Sequence, residues 1–132
     1  MFGLGKQKPP PIRSLIGEGV VVRGDIRFDE GLRIDGEVHG DVDASDGRSI
    51  LVISEKARVH GKVRACHVII NGEVCGPVHS DELLELQPKA RVEGDIRYQT
   101  LEMHQGAQVD GLLKPLKAAE KPTLTLAASN DA

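Results

Sequence analysis

The nonapeptide IDGEVHGDV at residues 34–42 returns almost unchanged as INGEVCGPV at residues 70–78. Six of the nine positions are identical, and the two copies start 36 residues apart. Aliphatic residues and glycines occupy every second position of both copies. A period of two is typical of a β-strand, in which successive side chains point to opposite faces. The chain therefore repeats a strand and not a helix.

A shorter unit, Val-x-Gly-x-aliphatic, extends this repeat and occurs six times. Its glycines are separated by 16, 21, 15, 18 and 17 residues and are Gly24, Gly40, Gly61, Gly76, Gly94 and Gly111. The one long interval contains DASDGRS, residues 43–49, which predicts a surface loop. A period near 17 or 18 residues fits one coil of a β-solenoid that has three short strands joined by tight corners.

Each unit predicts which side chains face inward. The Val and the final aliphatic residue should point to the core, whereas the residue between Val and Gly should point outward. These outward residues are mostly polar and are Arg23, His39, His60, Cys75, Glu93 and Asp110. We expect the glycines where the backbone turns or where a neighbouring coil leaves no room for a Cβ atom. Pro77 lacks the N–H that a strand interior needs, so we expect it at a corner.

Composition and charge narrow the class of protein. The 132 residues include no Trp, one Tyr and two Phe, so the core must be aliphatic. The net charge is −3, and the stretch 15–113 holds 18 acidic against 11 basic residues. An acidic body argues against a nucleic-acid partner, because phosphate binding needs a basic face.

The lack of targeting signals and the spacing of the cysteines predict a cytoplasmic location. The sequence has neither an apolar run long enough to span a bilayer nor the apolar stretch of a secretory signal. The two cysteines, Cys66 and Cys75, lack CxxC spacing, which favours reduced and unpaired thiols.

The ends of the repeat predict self-association. We expect a flexible N-terminal tail at 1–14, a β-helix polymerisation domain at 15–113 and a disordered C-terminal tail at 114–132. Neither end of the repeat has a polar cap or a capping helix in the sequence, and uncapped stacked strands invite pairing with another chain. The residues predicted to form this polymer interface are Val20, Val22, Ile26 and Phe28 at the first unit and Val109, Leu112 and Leu113 at the last.

The stretch SLIGEGVVVRGDI at residues 14–26, followed by LRIDGEVHGDV at residues 32–42, resembles the bactofilins, a bacterial family. The resemblance covers about 98 of the 132 residues. It implies an all-β fold, a right-handed parallel β-helix of six three-sided coils. It also implies nucleotide-independent, non-polar filaments that act as membrane-associated scaffolds and localise cell-envelope proteins to influence cell shape.

The same resemblance assigns a role to the segment MFGLGK at the N-terminus. Met1, Phe2 and Leu4 would insert at the inner face of the cytoplasmic membrane, while Lys6 and Lys8 would meet anionic headgroups. Such a short peptide should bind weakly by itself and gain strength through the many copies on a filament. Residue content alone would favour an ordinary disordered start; the resemblance favours membrane binding.

The alternative function is a left-handed β-helix acyltransferase built on hexapeptides. Ile16, Val22, Phe28 and Ile34 stand six residues apart, but the phase fails at Gly40 and Asp46 and fails again at Asn71. None of the five histidines has a Ser or Asp pairing that singles it out as a catalytic base. We therefore predict no catalytic residue and, without a phosphate-binding glycine motif, no nucleotide or other cofactor.

A metal site is the remaining possibility on the surface. His39, His60 and Cys75 occupy equivalent positions in successive coils and would stack about 4.8 Å apart. A column of outward residues is more often plain surface, so we predict no metal here.

Overall fold

The computed structural model describes residues 11–44 and 47–116, and within them the chain forms a β-solenoid of six coils. Every strand pairing is parallel. The strands are β1 (Ile12–Ile16), β2 (Val21–Arg23), β3 (Ile26–Phe28), β4 (Gly31–Ile34), β5 (Glu37–His39), β6 (Val42–Ala44), β7 (Ile50–Ile53), β8 (Arg58–His60), β9 (Val63–Ile70), β10 (Glu73–Cys75), β11 (Val78–Leu86), β12 (Arg91–Glu93), β13 (Ile96–Tyr98), β14 (Thr100–Met103), β15 (Gln108–Asp110) and β16 (Leu113–Pro115).

Each coil has three sides, which confirms the predicted architecture. Side 1 stacks β1, β4, β7, the second halves of β9 and β11, and β14. Side 2 stacks β2, β5, β8, β10, β12 and β15 as a six-stranded sheet. Side 3 stacks β3, β6, the first halves of β9 and β11, β13 and β16. Sides 1 and 3 join in one ten-stranded sheet, because β9 and β11 continue across the corner between them.

The core is aliphatic and follows the predicted alternation. On side 2, Val38, Val59 and Val74 have no exposed surface, and Val92 retains 2%. The intervening outward column of six predicted polar positions is exposed or partly exposed throughout. On side 3 the buried column is the final aliphatic residue of each unit, as in Val42, Val63, Val78 and Ile96.

Close stacking explains the glycine of each unit. A Cβ atom on Gly61 would overlap the carbonyl oxygen of Gly40 in the preceding coil, and Gly61 also has a φ of +156°. The same overlap with the preceding glycine recurs along the column, at Gly40, Gly76, Gly94 and Gly111. Only an α-carbon without a side chain allows the two backbones to approach this closely. The predicted role of these glycines is confirmed.

The residue after each of these glycines turns the corner, and an aspartate often binds its backbone N–H. Asp41 donates its N–H to Asp25 Oδ1 at 2.9 Å, and Lys62 donates its N–H to Asp41 Oδ1 at 2.9 Å. In the last coil Leu112 donates its N–H to Asp95 Oδ1 at 3.0 Å. Each carboxylate therefore satisfies a donor of the next coil that the strand ladder does not reach.

Pro77 lies at the same corner, as predicted. The corner residues of successive coils stack in a column, and the residue that precedes Pro77 in this column explains why a proline fits there. The residue before it in the column is Lys62, whose ammonium group offers no acceptor. Proline has no N–H and needs no acceptor. The proline thus occupies a corner at which any other residue would present an N–H above a lysine.

The corners between sides 1 and 2 explain the repeated nonapeptide. Four of them are wide turns closed by a backbone hydrogen bond, namely Val20 N–H to Gly17 O, Ala57 N–H to Ser54 O, Ala90 N–H to Gln87 O and Ala107 N–H to His104 O. The other two corners are Asp35-Gly36 and Asn71-Gly72. A Cβ atom on Gly72 would overlap the carbonyl oxygen of Ser54 in the preceding coil, so this tight corner needs a glycine. The nonapeptide returns because the second and fourth coils share this tight corner.

The predicted surface loop at 43–49 is shorter than expected. Asp43 and Ala44 end β6, and Ser49 is buried with 1% of its surface exposed. Gly47 and Arg48 are exposed, and residues 45 and 46 lie outside the described part of the chain. The prediction was wrong for Ser49 because its polar side chain is hydrogen-bonded internally: its Oγ accepts the N–H of Cys66 at 2.9 Å.

The strands also extend slightly past the predicted 15–113 limits, from Ile12 to Pro115.

Replacing Gly61 by alanine should destabilise the solenoid by about 1–3 kcal/mol, the usual cost of overpacking. The added methyl meets a backbone carbonyl, which cannot rotate away as a side chain can. The measurement is urea-induced unfolding at one fixed protein concentration. The control is Gly47→Ala, whose Cβ would meet no atom within 4 Å. An equal loss in both variants would contradict the close-stacking argument.

Replacing Asp41 by alanine should lower the free energy of unfolding by about 1 kcal/mol, because the N–H of Lys62 loses its acceptor. Lys62→Ala is the matched control in the same column, since Pro77 has no N–H to lose a partner. Asp41→Asn should retain most of the stability, because its amide oxygen can still accept. Thermal unfolding compares the three variants, and a loss in Lys62→Ala as large as in Asp41→Ala would refute this role.

Candidate polymerisation interfaces

Both ends of the solenoid present strands that are paired on one edge only. β1, β2 and β3 pair with β4, β5 and β6, and no described strand lies on their other edge. At the opposite end β14, β15 and β16 pair with β11, β12 and β13 in the same one-sided way. Open edges of this kind are ready to pair with strands of another chain.

Exposed apolar side chains are concentrated at these two ends. Among the described residues, every exposed large hydrophobic residue lies in the first coil, in the last coil or directly after it. They are Ile12, Leu15, Val20 and Val21 at the N-terminal end and Met103, Leu112, Leu113 and Leu116 at the C-terminal end. The four middle coils cover their apolar residues with one another.

Equivalent residues in terminal and middle coils differ strongly in exposure. Val20 closes a wide turn as Ala57 and Ala90 do, yet it is 46% exposed, whereas they are 1% and 0% exposed. Leu113 pairs with Ile96 and is 46% exposed, whereas Ile96 is fully buried. Within each column the buried residues have a coil on both sides, whereas Val20 and Leu113 have a described coil on one side only. One further coil stacked on either end would bury these side chains.

Four of the other five predicted interface residues divide into two groups. Val22, Ile26 and Val109 face inward and pack against the core from the terminal coils, where they are partly buried. Leu112 is 61% exposed at the corner above Asp95.

Phe28 differs from the other predicted residues. It is only 7% exposed and belongs to the core of the single chain. It therefore offers little additional apolar area to a second chain.

The sequence pattern missed five apolar residues at the ends, namely Ile12, Leu15, Val21, Met103 and Leu116. Most of them were missed because the Val-x-Gly unit marks sides 2 and 3, whereas β1 and β14 belong to side 1. The structure pairs Ser14 with Leu32 and Ile16 with Ile34, and the isoleucine that these two strands share is the one identity between SLIGEG at 14–19 and LRIDGE at 32–37. Leu15 and Val21 pair with the outward residues Arg33 and Glu37, so these two lie at the rim of the end.

Gly24 shows the same difference between the first coil and the later ones. A Cβ atom on Gly24 would meet nothing within 4 Å, whereas the later glycines of its column would each overlap the coil before them. Within residues 11–44 and 47–116, nothing fills the space that a coil before Gly24 would occupy.

The C-terminal end is fastened to the coil beneath it by Asp95. This carboxylate accepts the N–H of Leu112 and lies 3.3 Å from Lys114 Nζ. The Leu112 N–H, and then the Lys114 ammonium, lower the pKa of Asp95 from its ordinary value of 3.8. A carboxylate with a lowered folded-state pKa stabilises the fold above the unfolded-state pKa, and that contribution is lost as the pH falls through the folded-state value.

The outward column on side 2 stacks as predicted. The His39 and His60 rings are parallel within 2°, with centroids 4.9 Å apart, and His39 Nε2 lies 2.8 Å from Glu37 Oε2. Cys75 follows His60 in register, but its thiol lies beside two carboxylates, Glu73 Oε2 at 3.7 Å and Glu93 Oε1 at 3.9 Å. Burial, followed by these carboxylates, raises the pKa of the Cys75 thiol. Both cysteines are free, as predicted.

The predicted membrane-binding residues Met1, Phe2, Leu4, Lys6 and Lys8 lie outside the described part of the chain. Their role stays a prediction. Among the described residues, no helix has the length and apolar character needed to cross a bilayer.

Comparison with known proteins agrees with this geometry. Residues 14–114 match the sequence profile of the family described as "Bactofilin: Polymer-forming cytoskeletal". The chain is 30% identical to Bactofilin BacO of Myxococcus xanthus over 98 residues, which are 74% of this chain and 75% of BacO. It is 28% identical to Bactofilin BacP of the same organism over 98 residues, and this match spans only 40% of BacP. No solved structure matches significantly. A polymer-forming profile over all six coils, together with two open apolar ends, shows that this chain belongs to the bactofilin family of polymer-forming cytoskeletal proteins.

Proposed function

We propose that this chain is a structural, non-catalytic protein that assembles end to end into filaments. The observation that carries the proposal is the change in exposure along single columns, from 0% at Ile96 to 46% at Leu113. A second chain stacked on the end would bury that surface and continue the backbone ladder. The strand edges and the apolar residues thus favour the same contact.

Assembly of this kind needs no nucleotide. Burial of the terminal apolar side chains and pairing of the open edges are both favourable in water without a chemical step. We propose that the filament forms spontaneously and that its length is set by protein concentration.

We propose further that the filament is non-polar, so that like ends join. A contact between identical ends is isologous: the same residues of both chains meet across a two-fold axis. Two such contacts per chain, one at each end, extend the polymer without a limit.

Electron microscopy of the purified chain should show thin filaments in plain buffer, unchanged by ATP or GTP. Leu113→Arg should abolish long filaments, because a charge would enter the buried joint. Val52→Arg is the matched control, since Val52 lies outward and partly exposed on β7 in a middle coil. Val52→Arg filaments should look normal. Filaments of Leu113→Arg that match the unaltered chain would contradict the proposed joint.

Two single-end variants test the polarity of the filament. If like ends join, Val20→Arg and Leu113→Arg should each form dimers through the end that remains intact. If opposite ends join, each variant should stay monomeric, and an equimolar mixture should form dimers. Sedimentation velocity of the separate and mixed variants distinguishes the two arrangements. Dimers that appear only in the mixture would overturn the non-polar filament.

The filament is proposed to act at the inner face of the cytoplasmic membrane and to localise cell-envelope proteins there. Support comes from the segment MFGLGK, which combines Met1, Phe2 and Leu4 with Lys6. Many weakly binding copies along one filament would bind a membrane together. Growth through the ends would leave the sides of the described coils available to partner proteins.

Phe2→Asp should abolish co-sedimentation of filaments with vesicles that contain anionic lipid, because a carboxylate would replace the inserting ring and oppose the headgroup charge. Leu124→Asp, an equivalent change in the C-terminal segment, is the control and should still co-sediment. Vesicle binding by Phe2→Asp at the unaltered level would exclude the N-terminal segment as the membrane contact.

A further inference from the structure

The corner between sides 3 and 1 is unusual where β9 and β11 pass through it. These two strands run without a break across a corner at which the other described coils start a new strand. Ser80 pairs with Ala65 and Leu83 pairs with His67, so Asp81 and Glu82 together face Cys66. This is a bulge in β11, a feature that redirects side chains.

Two buried serines hold the backbone of Cys66. Its N–H donates to Ser49 Oγ at 2.9 Å, and its carbonyl oxygen lies 2.9 Å from Ser80 Oγ. Ser80 Oγ also lies 2.6 Å from the carbonyl oxygen of Leu83, at the far side of the bulge. Ser49 and Ser80 are the two buried polar side chains of the described residues, at 1% and 0% exposure. Both therefore fix the position of Cys66 in the corner.

The corner brings three metal-binding side chains together. The Cys66 thiol, a ring nitrogen of His67 and a carboxylate oxygen of Glu82 all lie within 4.8 Å of one another. His67 Nε2 and Glu82 Oε1 are 3.0 Å apart. Cys66 is 5% exposed, whereas His67 and Glu82 lie nearer the surface, so the site is open on one side.

The chemistry of the three ligands favours zinc. Thiolate, imidazole and carboxylate bind Zn²⁺ at about 2.0–2.3 Å, and a tetrahedral ion therefore needs ligand atoms roughly 3–4 Å apart. The distance of 3.0 Å between His67 Nε2 and Glu82 Oε1 already matches that spacing, and the thiol lies within 4.8 Å of a ring nitrogen of His67 and a carboxylate oxygen of Glu82. A thiolate selects zinc and similar transition ions over Mg²⁺ and Ca²⁺, which prefer oxygen ligands.

The other two clusters of possible ligands are less suitable. In the group of Glu37, His39 and His60 the two rings are stacked in parallel, so their nitrogen lone pairs do not converge on one point. The group of Glu85, Glu102 and His104 contains no sulfur ligand. Of these three clusters in the described part of the chain, the corner cluster is the one that combines a buried thiol with two nearby partners.

We propose that Cys66, His67 and Glu82 bind one Zn²⁺ ion, with water in the fourth position. The thiol releases its proton to solvent as the sulfur binds, and no electron is transferred. The ion joins β9 to β11 and so fastens the middle coils at the corner. The site lies on the side of the solenoid, away from both ends, and does not depend on filament formation.

Titration of the metal-free full-length chain with Co²⁺ tests this site, because a cobalt–thiolate bond gives a charge-transfer absorption band. The band should appear with one Co²⁺ per chain, and Zn²⁺ should displace it and raise the melting temperature. Cys75→Ser should behave like the unaltered chain. Cys66→Ser should give neither the band nor the temperature shift.

Two surface variants keep the test decisive if Cys66→Ser fails to fold. His67→Gln and Glu82→Gln alter partly or largely exposed side chains and should weaken Co²⁺ binding at least tenfold, as even the loss of an outer-sphere partner commonly does. Circular dichroism confirms that they are folded. A band lost in Cys75→Ser and kept in Cys66→Ser would overturn the proposal, as would unchanged affinity in His67→Gln and Glu82→Gln. Absence of the band in the unaltered chain would overturn it as well.

Discussion

The parallel backbone ladder between successive coils is the interaction on which the rest of this structure depends. Each strand is short, and one coil has no second layer against which to bury its valines, so burial comes from the coils before and after it. The ladder holds coils about 4.8 Å apart. At that spacing Val59 and Val74 are fully covered, and a glycine is required at Gly61, where the backbones are closest. The first and last described coils each have a neighbouring coil on one side only. Their apolar side chains are therefore covered from one side and stay partly exposed.

The corners show how residues far apart in sequence become interdependent. The corner N–H groups of Asp41 and Lys62 are not bound by the ladder and have acceptors in the preceding coil, which Asp25 and Asp41 supply. Lys62 supplies none, and the next corner residue is Pro77, which has no N–H. These corners therefore show two solutions, the addition of an acceptor by Asp25 and Asp41 and the removal of the donor at Pro77. An aspartate before one corner and a proline at another have the same effect, because each avoids a corner N–H without a hydrogen-bond acceptor.

The molecule separates its surfaces by chemistry. The two ends are apolar and carry open strand edges, which suits contacts between copies of the chain. The sides carry the polar and ionisable residues, including the stacked His39 and His60 and the corner cluster around Cys66. Because filament growth would use only the ends, the sides remain accessible along the whole polymer. A side surface repeated on every subunit suits weak contacts that gain strength from number.

The sequence by itself determined the number of coils, the inward and outward residues, the corner glycines and the place of Pro77, because strand periodicity and stacking leave a direct trace in residue spacing. It also located Val20 and Leu113 at the open ends. The burial of Phe28 and Ser49 was decided by tertiary structure, since it depends on which coil covers each residue. The same is true of Cys66, His67 and Glu82. Neighbouring residues of a regular strand point apart, so only the bulge and the continuous corner of β9 and β11 bring these three side chains together.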